Sequence, residues 1–209
     1  MPEPILDAPS IDAIQLARRE LLPHVRETPV WQWLGHRIDV QKPRDATLWL
    51  KLELLQHTGS FKVRGAMLSL LRLDPLVRAR GVTAVSAGNH AMAVAHAARA
   101  TGAHAKVVMP RTADPSRIHA CRALGAEVEL ADDIAAAFRR VREIETGEGR
   151  TFVHPFEGEP MALGAATLGL EMVQRIGQLD ALLVPIGGGG LAAGVACAVK
   201  RVQPRCRVY

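Results

Sequence analysis

Apolar positions follow two periods along this chain of 209 residues. Short apolar or alternating runs predict strands at 46–54, 82–85, 105–109, 127–130, 151–153 and 181–186. Longer stretches with apolar positions three or four apart predict helices at 11–22, from 61 or 62 onward, 89–100, from 114 or 116 to 124, 134–144, 162–176 and 191–202. Strands that alternate with helices in this way form a parallel sheet with helices on both faces. The pattern therefore predicts an α/β fold.

Composition narrows the class of protein. Apolar residues make up 48% and charged residues 22% of the chain, as in ordinary globular proteins, and no apolar run approaches the length of about 20 residues that spans a bilayer. The net charge of +5 comes from basic residues scattered among acidic ones, and only 4% of residues are aromatic. We therefore expect neither a membrane nor a nucleic-acid partner. Three unevenly spaced cysteines and no secretory signal indicate reduced thiols in a cytoplasm.

Lys62 stands where a polar turn meets a predicted helix. Gly59 and Ser60 form the turn, Ser60 is a good helix N-cap, and the large apolar Phe61 precedes the lysine. Burial and the positive end of a helix dipole both disfavour the charged form of a lysine placed here. Because Schiff-base chemistry needs a neutral amine, Lys62 is a candidate catalytic residue. The alternative is a solvated lysine on a helix face.

Four consecutive glycines, Gly187, Gly188, Gly189 and Gly190, link an apolar predicted strand to a predicted helix. Such a loop lets the backbone approach an anion closely, and the helix supplies free amides and the positive end of its dipole. We predict a phosphate site, with a tightly packed turn as the alternative. A nucleotide P-loop is excluded because no Gly-Lys-Ser/Thr follows. A dinucleotide motif is weakly supported, because Arg205 and Arg207 stand where an acidic residue would bind a ribose.

A second polar loop also lies between a strand and a helix; its residues are Ser86, Ala87, Gly88, Asn89 and His90. Its hydroxyl, its side-chain amide and the helix-start donors could hold a carboxylate or a ring hydroxyl. Helix capping by Ser86 or Asn89 explains the same residues equally well. His90 fits a base, a ligand or a packed turn residue, and we predict no metal site because no other histidine has ligand spacing to it.

A reactive lysine, a phosphate loop and a carboxylate loop are what a phosphorylated aldehyde cofactor needs to act on an amino acid. On these features the chain resembles the fold-type II pyridoxal-phosphate enzymes, in the branch of threonine and serine dehydratases and serine racemases. The motifs are K-x-E-x-x-Q-x-T-G-S-F-K-x-R-G-A at 51–66, S-A-G-N-H-A at 86–91, H-P-F at 154–156 and the tetraglycine loop with Leu191. The resemblance runs from about residue 10 to residue 209.

The resemblance implies pyridoxal 5'-phosphate as cofactor and a role for each site residue. Lys62 would bind the cofactor as a Schiff base and move the Cα proton, Phe61 would pack on the ring, and Asn89 would bond the 3-hydroxyl. The phosphate would lie on Gly187, Gly188, Gly189, Gly190 and the amide of Leu191, and the substrate carboxylate on Ser86, Ala87, Gly88, Asn89 and His90. The implied reaction is α,β-elimination of water from serine, threonine or a related hydroxy amino acid, giving a 2-oxo acid and ammonia.

The resemblance further implies two parallel-sheet domains, arranged as in tryptophan synthase β. A large cofactor-binding domain would comprise residues 1–52 and 151–209, and a small α/β domain residues 53–150. The family's large domain continues beyond position 209, so we expect its C-terminal part to be missing here. We also expect a homodimer.

Ala87 departs from the racemase pattern, in which a second serine supplies an acid on the opposite face of the cofactor ring. Elimination is therefore expected over racemisation. An amino-acid racemase, and a fragment that binds the cofactor without turnover, remain the alternatives.

Overall fold

The computed structural model of the protein describes residues 8–209. Its helices are α1 (Ile11–Leu21), α2 (His36–Asp39), α3 (Lys62–Leu71), α4 (Pro75–Ala79), α5 (Asn89–Thr101), α6 (Pro115–Ala123), α7 (Ile134–Glu148), α8 (Glu159–Ile176) and α9 (Gly190–Val202). Its strands are β1 (Val30–Gln32), β2 (Trp49–Lys51), β3 (Val82–Val85), β4 (Ala105–Pro110), β5 (Glu127–Ala131), β6 (Thr151–Phe152), β7 (Ala181–Leu182) and β8 (Arg207–Val208). Two 3₁₀ turns, Glu53–Leu55 and His57–Gly59, lead into α3.

The main sheet has the order β5-β4-β3-β6, and every pairing in it is parallel. On one face, Val85 and Val108 form a cluster with Ala137, Val141 and Ile144 of α7. The opposite face belongs to a larger core that includes α3, α5 and α8. The predicted α/β architecture, a parallel sheet with helices on both faces, is confirmed.

Two smaller sheets lie outside the main one. β1 and β2 pair antiparallel, whereas β7 and β8 pair in parallel, with Ala181 opposite Arg207. The predicted strand at 46–54 is too long, because the chain leaves the sheet after Lys51 and enters the two 3₁₀ turns. The strand predicted at 181–186 also shortens, to β7: beyond Leu182 the side chains of Leu183 and Ile186 are 79% and 72% exposed.

Close contacts between helix backbones hold α3, α8 and α9 together. A Cβ atom at Gly164 of α8 would overlap the backbone of Gly65 in α3, and one at Gly194 of α9 would overlap the carbonyl oxygen of Ala162 in α8. These glycines therefore allow the three helices to touch. Since α3 begins with Lys62 and α9 begins inside the tetraglycine loop, this packing fixes the distance between the two predicted site elements.

Among residues 8–209 the structure contains no helix long and apolar enough to cross a bilayer. The division into a large and a small domain stays a prediction. β6 pairs with β3 across the proposed boundary at 150–151.

Candidate active site

Lys62 is the first residue of α3, as the sequence predicts, but the helix cap differs from the prediction. Phe61 is the N-cap residue and already has helical backbone angles, with no side-chain capping bond. Ser60 is extended, and therefore stands one position too early to cap the helix. Its buried hydroxyl oxygen has no hydrogen-bond partner in the part of the chain that the structure describes. A buried orphan hydroxyl beside Lys62 is a donor available to a bound molecule.

The turn before Lys62 is strained and firmly held. Thr58 adopts a φ of 61°, which is unusual for a β-branched residue. Gln56 clamps the start of this turn: its side-chain oxygen accepts from the amides of Arg26 (2.9 Å) and His57 (3.0 Å), and its nitrogen donates to the Arg26 carbonyl at 2.7 Å. Strain of this kind persists only where the surroundings over-determine the backbone, which is common at functional sites.

The amine of Lys62 is half-buried and hydrogen-bonded. Its Nζ donates to the carbonyl oxygen of Pro155 at 2.5 Å and lies 5.1 Å from the centre of the Phe61 ring. Burial lowers the pKa of Lys62 below the ordinary value for lysine, because desolvation penalises the ammonium. The group is therefore closer to the neutral, nucleophilic form than a surface lysine is.

The tetraglycine loop opens α9 one residue earlier than predicted, at Gly190, with Gly189 as N-cap at a φ of 87°. A Cβ at Gly188 would overlap the ring of Phe156, and one at Gly190 would overlap the carbonyl oxygen of the same residue. At Gly187 and Gly189 no atom within residues 8–209 lies within 4 Å of such a Cβ. The first amides of a helix have no intrahelical acceptor. The loop therefore presents free donors beside open space, which suits an anion.

Pro155 and Phe156 join the two predicted site elements, since one contacts Lys62 and the other contacts the glycines. A narrow cleft lies between them, lined by Phe61, Lys62, Gly65, Pro155, Phe156, Met161, Ala165, Gly190 and Leu191. Its free volume is about 10 Å³, roughly that of one water position. The chemistry of the residues fits a phosphorylated aldehyde, but the space between them is smaller than such a molecule.

The polar loop after β3 is built around Ser86, whose hydroxyl oxygen accepts from the Gly88 amide at 3.0 Å. Neither Ser86 nor Asn89 caps α5, because the N-cap position belongs to Gly88 and Asn89 is the first helical residue. Asn89 is exposed, and its side-chain oxygen accepts from Nη1 of Arg117 at 2.6 Å. Ala87 is exposed at the same end of the sheet.

The side chain of His90 is packed in the core, which was one of the three possibilities for this residue. Its Nε2 donates to the Val153 carbonyl at 2.9 Å, so Nδ1 is the unprotonated nitrogen, and it has no hydrogen-bond partner among the described residues. Burial lowers the pKa of His90 to about 4. The imidazole is neutral at physiological pH, and only the backbone of His90 remains available to the loop.

A buried ionic network behind Lys62 is not predicted by the sequence analysis. Arg64 donates to both oxygens of Glu53 (2.8 and 2.9 Å) and to both oxygens of Glu171 in α8 (2.6 and 2.9 Å). Burial alone lowers the pKa of Arg64, but hydrogen bonds to the two carboxylates outweigh it and raise the pKa. Lys51 completes the network by donating to Glu171 at 2.5 Å. The two cations and two anions neutralise each other and tie α3 to α8.

Only one signal in the sequence could have revealed this network. Glu171 is an acidic residue inside the otherwise apolar stretch 161–173, and a buried carboxylate needs a cationic partner. Lys51, Glu53 and Arg64 do belong to the motif that carries the family resemblance, but no role was predicted for them.

A family model described as "Pyridoxal-phosphate dependent enzyme" matches residues 21–209. The chain is 52% identical over 200 residues to a phenylserine dehydratase from Ralstonia pickettii, covering 96% of this chain and 60% of that protein. It is 39% identical over 200 residues to an L-threonine ammonia-lyase from Thermotoga maritima, covering 95% and 49%. The structure of maize serine racemase superimposes with a TM-score of 0.90 at 34% identity, covering 96% and 60%.

These relatives are longer than the chain. It spans between about half and three fifths of their lengths.

Proposed function

Because this chain belongs to the family of pyridoxal-phosphate-dependent enzymes, we propose that it binds pyridoxal phosphate through Lys62 and removes water from a β-hydroxy amino acid. The net products are a 2-oxo acid and ammonia. The observation that carries the proposal is the position of Lys62. A half-buried amine with a lowered pKa lies at one end of a cleft, and the free amides of a glycine loop lie at the other.

Each residue of the candidate site has a role in the proposed reaction. The bound cofactor supplies an electron sink for the electron pair left when the Cα proton is removed. Lys62 Nζ would hold the aldehyde carbon, and as a free amine it would carry the Cα proton. Phe61 would pack on the ring, and Asn89 would bond its 3-oxygen. The amides of the tetraglycine loop and Leu191 hold the phosphate, since they stand free at the start of a 13-residue helix.

The substrate carboxylate is assigned to the loop that contains Ser86, Ala87, Gly88, Asn89 and His90. This loop ends at the N-terminus of α5, where backbone donors and the helix dipole favour an anion. Serine and threonine are proposed as substrates. Phenylserine is added because the relative with 52% identity is a phenylserine dehydratase.

The direct test uses the purified protein, loaded with pyridoxal phosphate and offered L-serine, L-threonine and phenylserine in turn. We expect a visible absorbance band from the bound cofactor, and 2-oxo acid and ammonia in equal amounts. Lys62→Ala should lose both, whereas Lys200→Ala, which changes an exposed lysine on α9, should keep both. A wild-type protein without the band would contradict the proposal, and a band without products would favour a chain that binds the cofactor only.

Racemisation is the second candidate, and the similarity to maize serine racemase favours it. Ala87 opposes it, because alanine has no proton to deliver to the second face of the substrate. Chiral chromatography after incubation with L-serine separates the two activities. Elimination predicts no D-serine, and accumulation of D-serine would make the racemase the better proposal.

The domain division, the oligomeric state and the compartment are also proposed from the family membership. We assign residues 1–52 and 151–209 to the large domain and 53–150 to the small one, and we propose a homodimer in the cytoplasm. Sedimentation of the purified protein tests the oligomeric state, since a monomer at all concentrations would contradict the dimer.

A further inference from the structure

Arg117 reaches the polar loop after β3 from α6, an element to which the proposed function assigns no role. Its Nη1 donates to the side-chain oxygen of Asn89, 28 positions away, at 2.6 Å. A hydrogen bond from a charged donor at this distance is short, and about twice as strong as a neutral one. Arg117 is half-buried, whereas the neighbouring Arg111 is exposed and pairs with Asp132.

Gly88 makes room for this contact. A Cβ atom at position 88 would overlap Nη1 of Arg117 and crowd its Cζ and Cδ atoms. The guanidinium therefore rests directly on the backbone of the loop that precedes α5. At its other end Arg117 belongs to the first turn of α6, where its amide bonds the Asp114 carbonyl at 3.0 Å. The guanidinium is thus placed by the Gly88 backbone and the Asn89 side chain, and the backbone of Arg117 by the helix.

The contact decides which way the amide of Asn89 points. A primary amide carries an acceptor oxygen and a donor nitrogen, whereas a guanidinium carries donors only. Arg117 can therefore pair only with the oxygen of Asn89, which leaves the NH₂ group for any other partner. Without Arg117 the exposed amide could turn over and present its oxygen instead.

We propose that Arg117 is a positioning residue that orients Asn89 so that its NH₂ group donates to the 3-oxygen of pyridoxal phosphate. This inference rests on the proposed function, which assigns Asn89 to that oxygen. Donation to an oxygen stabilises its negatively charged form, whereas an amide oxygen turned toward it would repel that charge. Arg117 would act on the cofactor through Asn89, without contacting it.

The first experiment needs no cofactor, because Asn89 is the single asparagine of the chain. Protein labelled with ¹⁵N-asparagine therefore gives one side-chain NH₂ signal pair by NMR. We expect an ordered NH₂ group in the wild type and in the control Arg111→Met, because the bond to its oxygen holds the amide in one orientation. In Arg117→Met the Asn89 NH₂ group should become mobile. Gly88→Ala should have the same effect, because it displaces the guanidinium without removing its charge. The same NH₂ dynamics in Arg117→Met and in Arg111→Met would overturn the inference.

The second experiment adds pyridoxal phosphate to the same four proteins and to Arg117→Lys. Arg117→Met should weaken binding about tenfold, since a hydrogen bond to a charged group is lost, and should shift the visible spectrum toward the form with a protonated 3-oxygen. Arg117→Lys retains a cationic donor and should restore much of the affinity and of the wild-type spectrum. A purely structural role would not produce this spectral change and rescue.

The two experiments distinguish a failure of the proposed function from a failure of the positioning role of Arg117. If the wild type forms no visible band, the proposed function fails and the link from Asn89 to the cofactor fails with it, while the NMR result still decides the Arg117–Asn89 contact. If the band forms but Arg117→Met matches Arg111→Met in affinity and spectrum, the proposed function stands and the positioning role is overturned.

Discussion

Lys62 donates a hydrogen bond to the carbonyl oxygen of Pro155, 93 positions further along the chain. The next residue, Phe156, packs against Gly188 and Gly190 of the tetraglycine loop. One two-residue segment therefore closes the space between the amine and the predicted phosphate site.

Removal of the Phe156 ring should make the site easier to open. We expect Phe156→Ala to accelerate association of pyridoxal phosphate about tenfold, since each 1.4 kcal/mol that favours the closed arrangement costs about that factor. Phe156→Leu keeps an apolar side chain, so its association rate should lie between those of the wild type and Phe156→Ala. Stopped-flow absorbance measures the rates, and an alanine variant no faster than the wild type would show that the ring does not keep the site closed.

Gly190 should tolerate no larger side chain. A Cβ there would overlap a backbone oxygen of Phe156, which moves only if the whole segment moves. We expect Gly190→Ala to lower the free energy of unfolding by about 1–3 kcal/mol. Gly147, inside α7, has open space around it, so Gly147→Ala should instead stabilise by up to about 1 kcal/mol. Urea denaturation compares the two, and equal stabilities would refute the steric argument.

The buried network makes Glu171 important for stability. Glu171→Gln would leave Arg64 and Lys51 with Glu53 as the remaining carboxylate of this network, and so a buried positive charge without a partner. We expect a loss of about 3–5 kcal/mol in the free energy of unfolding. Asp132→Asn breaks the exposed pair with Arg111 and should change that free energy by about 1 kcal/mol or less. A similarly small effect at Glu171 would mean that water or rearrangement compensates the lost charge.

His90 should make stability depend on pH in the acidic range. Its pKa is lowered by burial to about 4 in the folded protein, from 6.5 in the unfolded chain, so only the unfolded chain binds the proton between these values. The contribution of neutral His90 to the free energy of unfolding is therefore fully present above pH 6.5 and is lost as the pH falls to about 4. It amounts to about 3 kcal/mol.

The variant His90→Gln keeps a donor for the Val153 carbonyl but cannot titrate in this range. The acid-induced loss of stability, measured by urea denaturation at several pH values, should be about 3 kcal/mol smaller than in the wild type. His57, His96 and His154 also have pKa values lowered chiefly by burial, and they contribute equally to both proteins. Identical pH profiles would exclude His90 as the source.

Much of this architecture could be predicted from the sequence, because its determinants are local. The alternation of strands and helices, the start of α3 at Lys62 and the glycine loop before α9 all depend on residues within a few positions of each other. Hydrophobic period, turn residues and glycine conformational freedom act over that range. The ends of β2 and β7 could not be predicted, since these strands stop where their pairing partners stop.

Only the tertiary structure decided which partners complete the site. Arg64 meets Glu171 across 107 positions, Lys62 meets Pro155 across 93, and Asn89 meets Arg117 across 28. The first contact depends on how closely α3 and α8 approach, and Gly65 and Gly164 set that approach. Lys62 and the glycines were therefore determined by the sequence as candidates. Phe156 fills the space between Lys62 and the glycines, and Arg117 orients Asn89. Both contacts follow from packing between distant segments, which no local pattern encodes.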